Sequence, residues 1–176
     1  MILILTGAVG SGKTGFLRKL ITYLGSEGIA VAGFFCPRVF KDDELIGYDL
    51  VDAGSLRKQP FLRKGEAENG GETVGPYRVE PGVQAAANAI LSASAPSAQL
   101  IVDELGPLEL RGKGHWPSLA PLLNNPERNF LFIIRDECLD DFAKLLAGHP
   151  TKVFSMKDRI NVSVVVSEIQ SHIPRA

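Results

Sequence analysis

Gly7-Ala8-Val9-Gly10-Ser11-Gly12-Lys13-Thr14 fits G-x-x-x-x-G-K-[ST] at every fixed position. Its flanks decide the fold. The residues before it, Ile2 to Thr6, are a short apolar run that reads as a strand buried on both faces. After it, Phe16, Leu17, Leu20, Ile21 and Leu24 recur at helical spacing, and Gly25 or Gly28 ends the helix. Ile29 to Phe35 reads as a second buried strand. The chain therefore opens β-loop-α-β, the start of a parallel sheet covered by helices.

The residue types of the loop explain its chemistry. Glycines allow positive φ angles, which turn backbone N–H groups toward phosphate oxygens. The helix that begins near Gly12 aims its positive dipole end at the same point. Lys13 is the cation for the β- and γ-phosphates, and the Thr14 hydroxyl is a ligand for Mg²⁺. The nucleotide-binding set is Gly7, Ala8, Val9, Gly10, Ser11, Gly12, Lys13 and Thr14.

Such a loop needs a carboxylate from a nearby strand to hold the magnesium shell. Leu100-Ile101-Val102-Asp103-Glu104 supplies an apolar strand ending in two acids. Asp103 takes the metal side by analogy with other proteins that carry this loop. Glu104, about 3.3 Å further along the strand, is placed to polarise a water in line with the γ-phosphorus. The third acid of Asp103-Glu104-Leu105-Gly106-Pro107-Leu108-Glu109-Leu110, Glu109, either orients a water or basic group or makes a surface salt bridge.

The rest of the chain keeps the alternation except in one stretch. Residues 37–81 have many glycines and charges and no helical period. Short β-like runs at 45–51, 59–62 and 73–79 read as an antiparallel meander extending one edge of the sheet, with 66–72 as a mobile loop between them. From Gly82 the alternation resumes: a helix over 83–93, a strand at 100–102, a helix around Trp116 and Leu119, a strand over 130–134, a helix over 139–146 and a last strand at 152–155. The tail from Ile160 to Ile173 is spaced for a helix, although its valines leave a strand open. The fold expected is α/β, a three-layer sandwich with a mostly parallel sheet extended by antiparallel strands. No repeat or linker divides it, so one nucleotide-binding domain over 1–176 with a β-rich insert at about 37–81 is expected.

Composition agrees with a globular protein and excludes several classes. Apolar residues are 45% and charged residues 22%, near the average. A net charge of −1 gives no electrostatic reason to expect nucleic acid as a partner. The acid–base mixtures 41–44 and 63–66 read as solvated loops. Cys36 and Cys138 lie far apart with no metal spacing, which suits a reduced compartment. No apolar run approaches the ~20 residues of a membrane helix, and the opening residues carry no leading positive charge. A cytoplasmic monomer without membrane contact is expected.

Weaker signals remain. Arg135 ends the strand over 130–134, on the edge where parallel sheets bind ligands; it is either an arginine finger or a cap pairing with Asp136 or Glu137. Arg159 follows the last strand, near where a base often lies. His115, His149 and His172 are isolated, with no metal spacing, and Trp116 reads as core or interface. Three functions stay open: a hydrolase of nucleoside triphosphates such as ATP and GTP, a kinase acting on a small molecule, or a nucleotide-dependent switch or assembly module. The strand-like insert weighs against a kinase, whose acceptor site is usually a helical insert with an arginine-bearing lid. The absence of N-K-x-D weighs against a guanine-specific switch and points to loose base preference.

The loop near Met1, the stretch from Asp103 to Leu110 and Gly47-Tyr48-Asp49-Leu50-Val51-Asp52 together resemble the small P-loop nucleoside-triphosphatase family of thermophilic type, which includes the human cancer-related nucleoside-triphosphatase. Spacing agrees along nearly the whole chain. The resemblance implies a RecA-like P-loop fold and slow, Mg²⁺-dependent hydrolysis of ATP, GTP and other triphosphates to diphosphate and phosphate. It gives Lys13, Thr14, Asp103 and Glu104 the phosphate, metal and water roles. One segment departs from it: relatives commonly have Pro-Glu-Val-Arg after the second strand, where this chain has Pro37-Arg38-Val39-Phe40.

Overall fold

The computed structural model describes residues 1–66 and 72–173. In chain order its first half is β1 (Ile2–Gly7), α1 (Lys13–Ser26), β2 (Val31–Phe35), β3 (Arg38–Lys41), β4 (Glu44–Asp52), β5 (Lys58–Lys64), β6 (Thr73–Val74) and β7 (Tyr77–Val79). The second half is α2 (Val83–Ser92), β8 (Gln99–Leu105), α3 (Pro107–Leu110), α4 (Trp116–Leu123), β9 (Asn129–Arg135), α5 (Leu139–Leu145), β10 (Thr151–Ser155) and α6 (Val162–His172).

The strands at the centre of the sheet divide the core. In β1, Ile2 and Ile4 join one buried cluster, and Leu3 and Leu5 join the other, because successive side chains leave a strand on opposite faces. In β9, Phe130, Phe132 and Ile134 face the first cluster while Leu131 and Ile133 face the second. Burial on both faces is why these strands read as continuous apolar runs rather than as alternating ones. Helices α2, α4 and α5 close the first face with residues such as Ala87, Leu119 and Phe142, and α1 and α6 close the second with Leu17, Leu20 and Val165. Three layers result, as expected. Each buried Leu, Val or Phe among them contributes about 1.5–3 kcal/mol by leaving water.

Among the described residues the strands form one sheet in the order β10-β1-β9-β8-β2-β4-β5-β7-β6, with β3 also paired to β4. The first five are mutually parallel, and from β4 onward the pairing is antiparallel. The loop strand β1 and the acidic strand β8 are not adjacent; β9 lies between them. Asp103 therefore reaches the loop across one strand.

Several local expectations are corrected. The run over 73–79 is two short strands turned back on each other at Gly75-Pro76, since proline cannot donate to a continuing ladder. Arg38–Lys41 forms a strand that its charges conceal, and it pairs with β4 through a bulge. Arg63 and Lys64 lie inside β5 rather than in a solvated loop, where Arg63 pairs with Asp49 and Lys64 with Glu44. Most of the loop expected at 66–72 lies outside the described residues. The tail resolves as helix α6, with Val165, Val166 and Ile169 buried at helical spacing and Asn161 accepting from the Ser163 N–H at its start.

Candidate active site

The loop from Gly7 to Thr14 joins β1 to α1 at the carboxyl edge of the parallel strands. Gly10 and Gly12 have φ of 82° and 90°, values that side chains disfavour, and these two residues turn the chain into the helix. The first helical amide with an intrahelical partner is Phe16, bonded to the Gly12 carbonyl at 3.0 Å. The amides of Lys13, Thr14 and Gly15 are left to the loop, as at any helix start. Lys13 Nζ donates to the carbonyls of Gly7 (2.6 Å) and Ala8 (2.9 Å). Burial pulls its ammonium below the ordinary lysine range, while Asp103, Glu104 and Asp136 pull it back up. The loop's base is tied down by Thr6, whose hydroxyl donates to Asp136 Oδ1 at 2.8 Å, and Asp136 also pairs with Lys157 at 2.8 Å.

The acidic strand does not simply end in two acids. β8 continues to Leu105, with Val102 opposite Phe132 and Leu105 opposite Ile134. Asp103 and Glu104 together therefore oppose Ile133 alone, which is a β-bulge. In a regular strand they would point to opposite faces; with Glu104 held at φ 60°, both line the same cavity. This corrects the expectation of a plain 3.3 Å step along an extended strand.

Asp103 is 4% exposed. Its Oδ2 accepts from the Cys36 N–H at 3.0 Å and its Oδ1 from the Glu104 N–H at 2.9 Å. Burial, then the charge of Glu104, pushes the carboxyl up to about 7, while the two amides and Lys13 pull it down. Glu104 Oε2 pairs with Arg135 Nη2 at 3.3 Å, and Oε1 has no hydrogen-bond partner among the described residues. Arg135 also approaches Glu137 at 3.8 Å. It thus lies in the site, held by the proposed water-positioning acid as well as by its sequence neighbour.

Glu109 fits neither expectation for it. It is buried, and its carboxylate accepts from the Gly106 N–H (3.0 Å) and the His115 N–H (3.1 Å), closing the loop that follows Glu104. Burial raises its pKa against those two bonds. His115, in the turn before α4, is 3% exposed and packs its ring 4.7 Å from that of Phe34. Its Nδ1 accepts from Gln84 Nε2 at 2.8 Å, and burial drops its pKa to about 4. Trp116 packs against the core beside Phe142. Arg159 is exposed and does not line the cavity.

Val9 to Thr14, Asp103, Glu104 and Arg135 surround an open cavity of about 330 Å³. Gly7 and Ala8 do not line it; their carbonyls accept from Lys13 Nζ. Sequence reasoning missed Arg38 and Tyr48, which also line it. A signal for Arg38 existed: it follows β2 closely at the carboxyl edge, where open α/β sheets bind ligands. As to metal, among the described residues no three His, Cys, Asp or Glu side chains converge. The donors in the cavity, a threonine hydroxyl and a buried carboxylate, are hard oxygens, the set that Mg²⁺ takes together with substrate phosphates. They fit that ion.

A family model described as NTPase matches residues 2–169. The nucleoside-triphosphatase THEP1 of Methanothermobacter thermautotrophicus is 30% identical over 168 residues, 94% of this chain and 86% of that one. The protein of the same name from Methanopyrus kandleri is 35% identical over 109 residues, a match spanning 61% of this chain and 59% of its own length. The solution structure of a human cancer-related nucleoside triphosphatase superposes with a TM-score of 0.72 at 25% identity, covering 96% of this chain and 97% of that one. No helix among the described residues is long and apolar enough to cross a membrane.

Proposed function

The chain belongs to the nucleoside-triphosphatase family, and from that premise we propose that it hydrolyses ATP, GTP and other nucleoside 5'-triphosphates to diphosphate and phosphate with Mg²⁺, as one catalytic domain. The observation that carries the reading is the bulge that brings Asp103 and Glu104 together onto the cavity formed by the phosphate-binding loop. Lys13 and the backbone of Gly7 to Thr14 bind the triphosphate. Thr14 and Asp103 would hold the metal, which when bound would neutralise charge on the substrate's phosphate oxygens. Glu104 Oε1 takes the water, holding it for in-line attack on the γ-phosphorus. The new bond is from water oxygen to phosphorus, the broken bond runs from phosphorus to the β–γ bridging oxygen, and the water proton passes to Glu104. Arg135 restrains Glu104 through Oε2, which leaves the other oxygen free for the water.

Base preference is loose in this reading, because the binding groups address phosphate rather than base. The test is incubation of pure protein with ATP, GTP, CTP and UTP plus Mg²⁺, following free phosphate with and without small-molecule acceptors. Phosphate release that needs no acceptor and varies less than about a hundredfold, or 2.7 kcal/mol, among bases is expected. Product formed only with an acceptor would make the chain a kinase.

A further inference from the structure

We propose that Arg38 is a second phosphate-binding cation of the site, delivered from the β3–β4 hairpin to the terminal phosphate, and that it makes the enzyme prefer triphosphate substrate over diphosphate product. The inference rests on the phosphate-loop reading above.

Four cationic side chains line the cavity, and they are not equivalent. Lys13 is bonded to two carbonyls within its own loop. Arg135 is held by Glu104 and Glu137. Arg18 stands over the Phe35 ring, 5.8 Å from its centroid. Arg38 has no carboxylate within ion-pair distance among the described residues. Its Nη2 lies 4.0 Å from where a Cβ would stand on Gly10, at the tip of the phosphate loop. A side chain with five donors and no acceptor, left without a counter-charge beside such a loop, is matched to an anionic oxygen.

Its position is fixed by the same contacts that build the acidic side. Two residues before it, the Cys36 amide bonds Asp103, and the carbonyl of Pro37 accepts from the Asp49 amide at 3.0 Å. Arg38 pairs in register with Tyr48. The Tyr48 side chain feels the charges of Glu104, Arg38 and Arg135 together, so Arg38 and Glu104 border the same space. In the hydrolase reading the phosphate facing Glu104 is the γ-phosphate, and that is the phosphate Arg38 meets. A diphosphate lacks it.

Arg38 is exposed, so Arg38→Ala should fold normally. Equilibrium binding of MgADP and of the Mg²⁺ complex of a non-hydrolysable imido analogue of ATP would be measured on the parent, Arg38→Ala and Lys13→Ala. Arg38→Ala is expected to weaken the triphosphate analogue about ten- to a hundredfold, as loss of one charge-assisted contact does, and MgADP less than about threefold. Equal losses for both nucleotides, or none, overturn the proposal. Lys13→Ala separates the two failures. If it loses affinity while Arg38→Ala does not, only the role of Arg38 falls. If it too binds normally, the phosphate-loop reading falls and Arg38 with it.

Discussion

The two halves of the site are built in opposite ways. The phosphate loop is made by eight consecutive residues: its glycines set its turns, and the helix that follows sets its dipole. The acidic side is assembled from distant pieces. Asp103 is held by an amide from the end of β2, Glu104 by an arginine from the end of β9, and the loop after them by an amide beyond α3. In the proposed reaction the locally encoded half binds and the tertiary half aims. A change in the first should cost affinity, and a change in the second should cost geometry.

The largest effect tests the local half. Lys13→Ala removes the charge proposed to meet the β- and γ-phosphates but little packing. Turnover should fall by about 10²–10³ or more, as when a preorganised charge-stabilising donor is lost, with weaker triphosphate binding and an unchanged thermal midpoint. Normal turnover by the folded variant would break the assignment of the loop.

The next effect separates the two acids. Glu104→Gln keeps shape and a hydrogen-bonding oxygen but loses basicity, so hydrolysis should slow at least about a hundredfold while MgATP binds as before. Asp103→Asn should weaken Mg²⁺-dependent binding as well as turnover. Identical phenotypes for the two variants would merge the roles proposed for two acids that the bulge brings to one cavity.

This difference in construction also explains what could be read in advance. The loop, the flanking elements and the parallel core follow from nearest-neighbour patterns, so residues such as Ile4, Leu17 and Phe132 were legible as core. Asp103 and Glu104 were legible as a pair. Their shared direction was not, because a bulge depends on the partner strand: nothing in Val102-Asp103-Glu104-Leu105 says that one residue of β9 will oppose two of β8. Glu109 was misread, and the burial of His115 went unread, for a related reason. A carboxylate and an imidazole look solvated in sequence, and only the fold supplies the two amides and the Phe34 ring that bury them. Arg38 was concealed within a charged segment that folds back as β3.

A third prediction asks whether the acidic half is anchored by burial. His115 is neutral in the fold with a pKa of about 4, against about 6.5 when unfolded. Between those values the unfolded chain binds the proton and the folded one does not, so stability falls as pH drops from about 6.5 to about 4. It loses up to about 3 kcal/mol over that window, and His115 contributes no such slope above it. Denaturant unfolding at stepped pH should show this slope in the parent and a shallower one in His115→Gln. Parallel slopes would place the imidazole in water and loosen the anchor of the loop after Glu104.

The smallest effect concerns strain. Glu104 is a non-glycine residue at φ 60° within a strand, a conformation that costs an L-residue about 1–2 kcal/mol. One local and two tertiary contacts hold it: the hydrogen bond from the Glu104 N–H to Asp103 Oδ1, the Arg135 pair and the resumption of the ladder at Leu105. Glu104→Ala and Glu104→Gly both remove the carboxylate and its ion pair, so those losses cancel in a comparison of the two variants. What remains is the conformational difference. Glycine usually destabilises a strand relative to alanine through backbone entropy, but at a left-handed position it relieves the strain instead. Glu104→Gly should therefore be more stable than Glu104→Ala by about 1 kcal/mol in denaturant unfolding, and both should be inactive. If alanine proves the more stable, Glu104 carries no strain and the bulge is a relaxed feature of β8. If glycine does, the site holds its water-positioning acid in a backbone state maintained at the expense of stability, as happens where function sets the conformation.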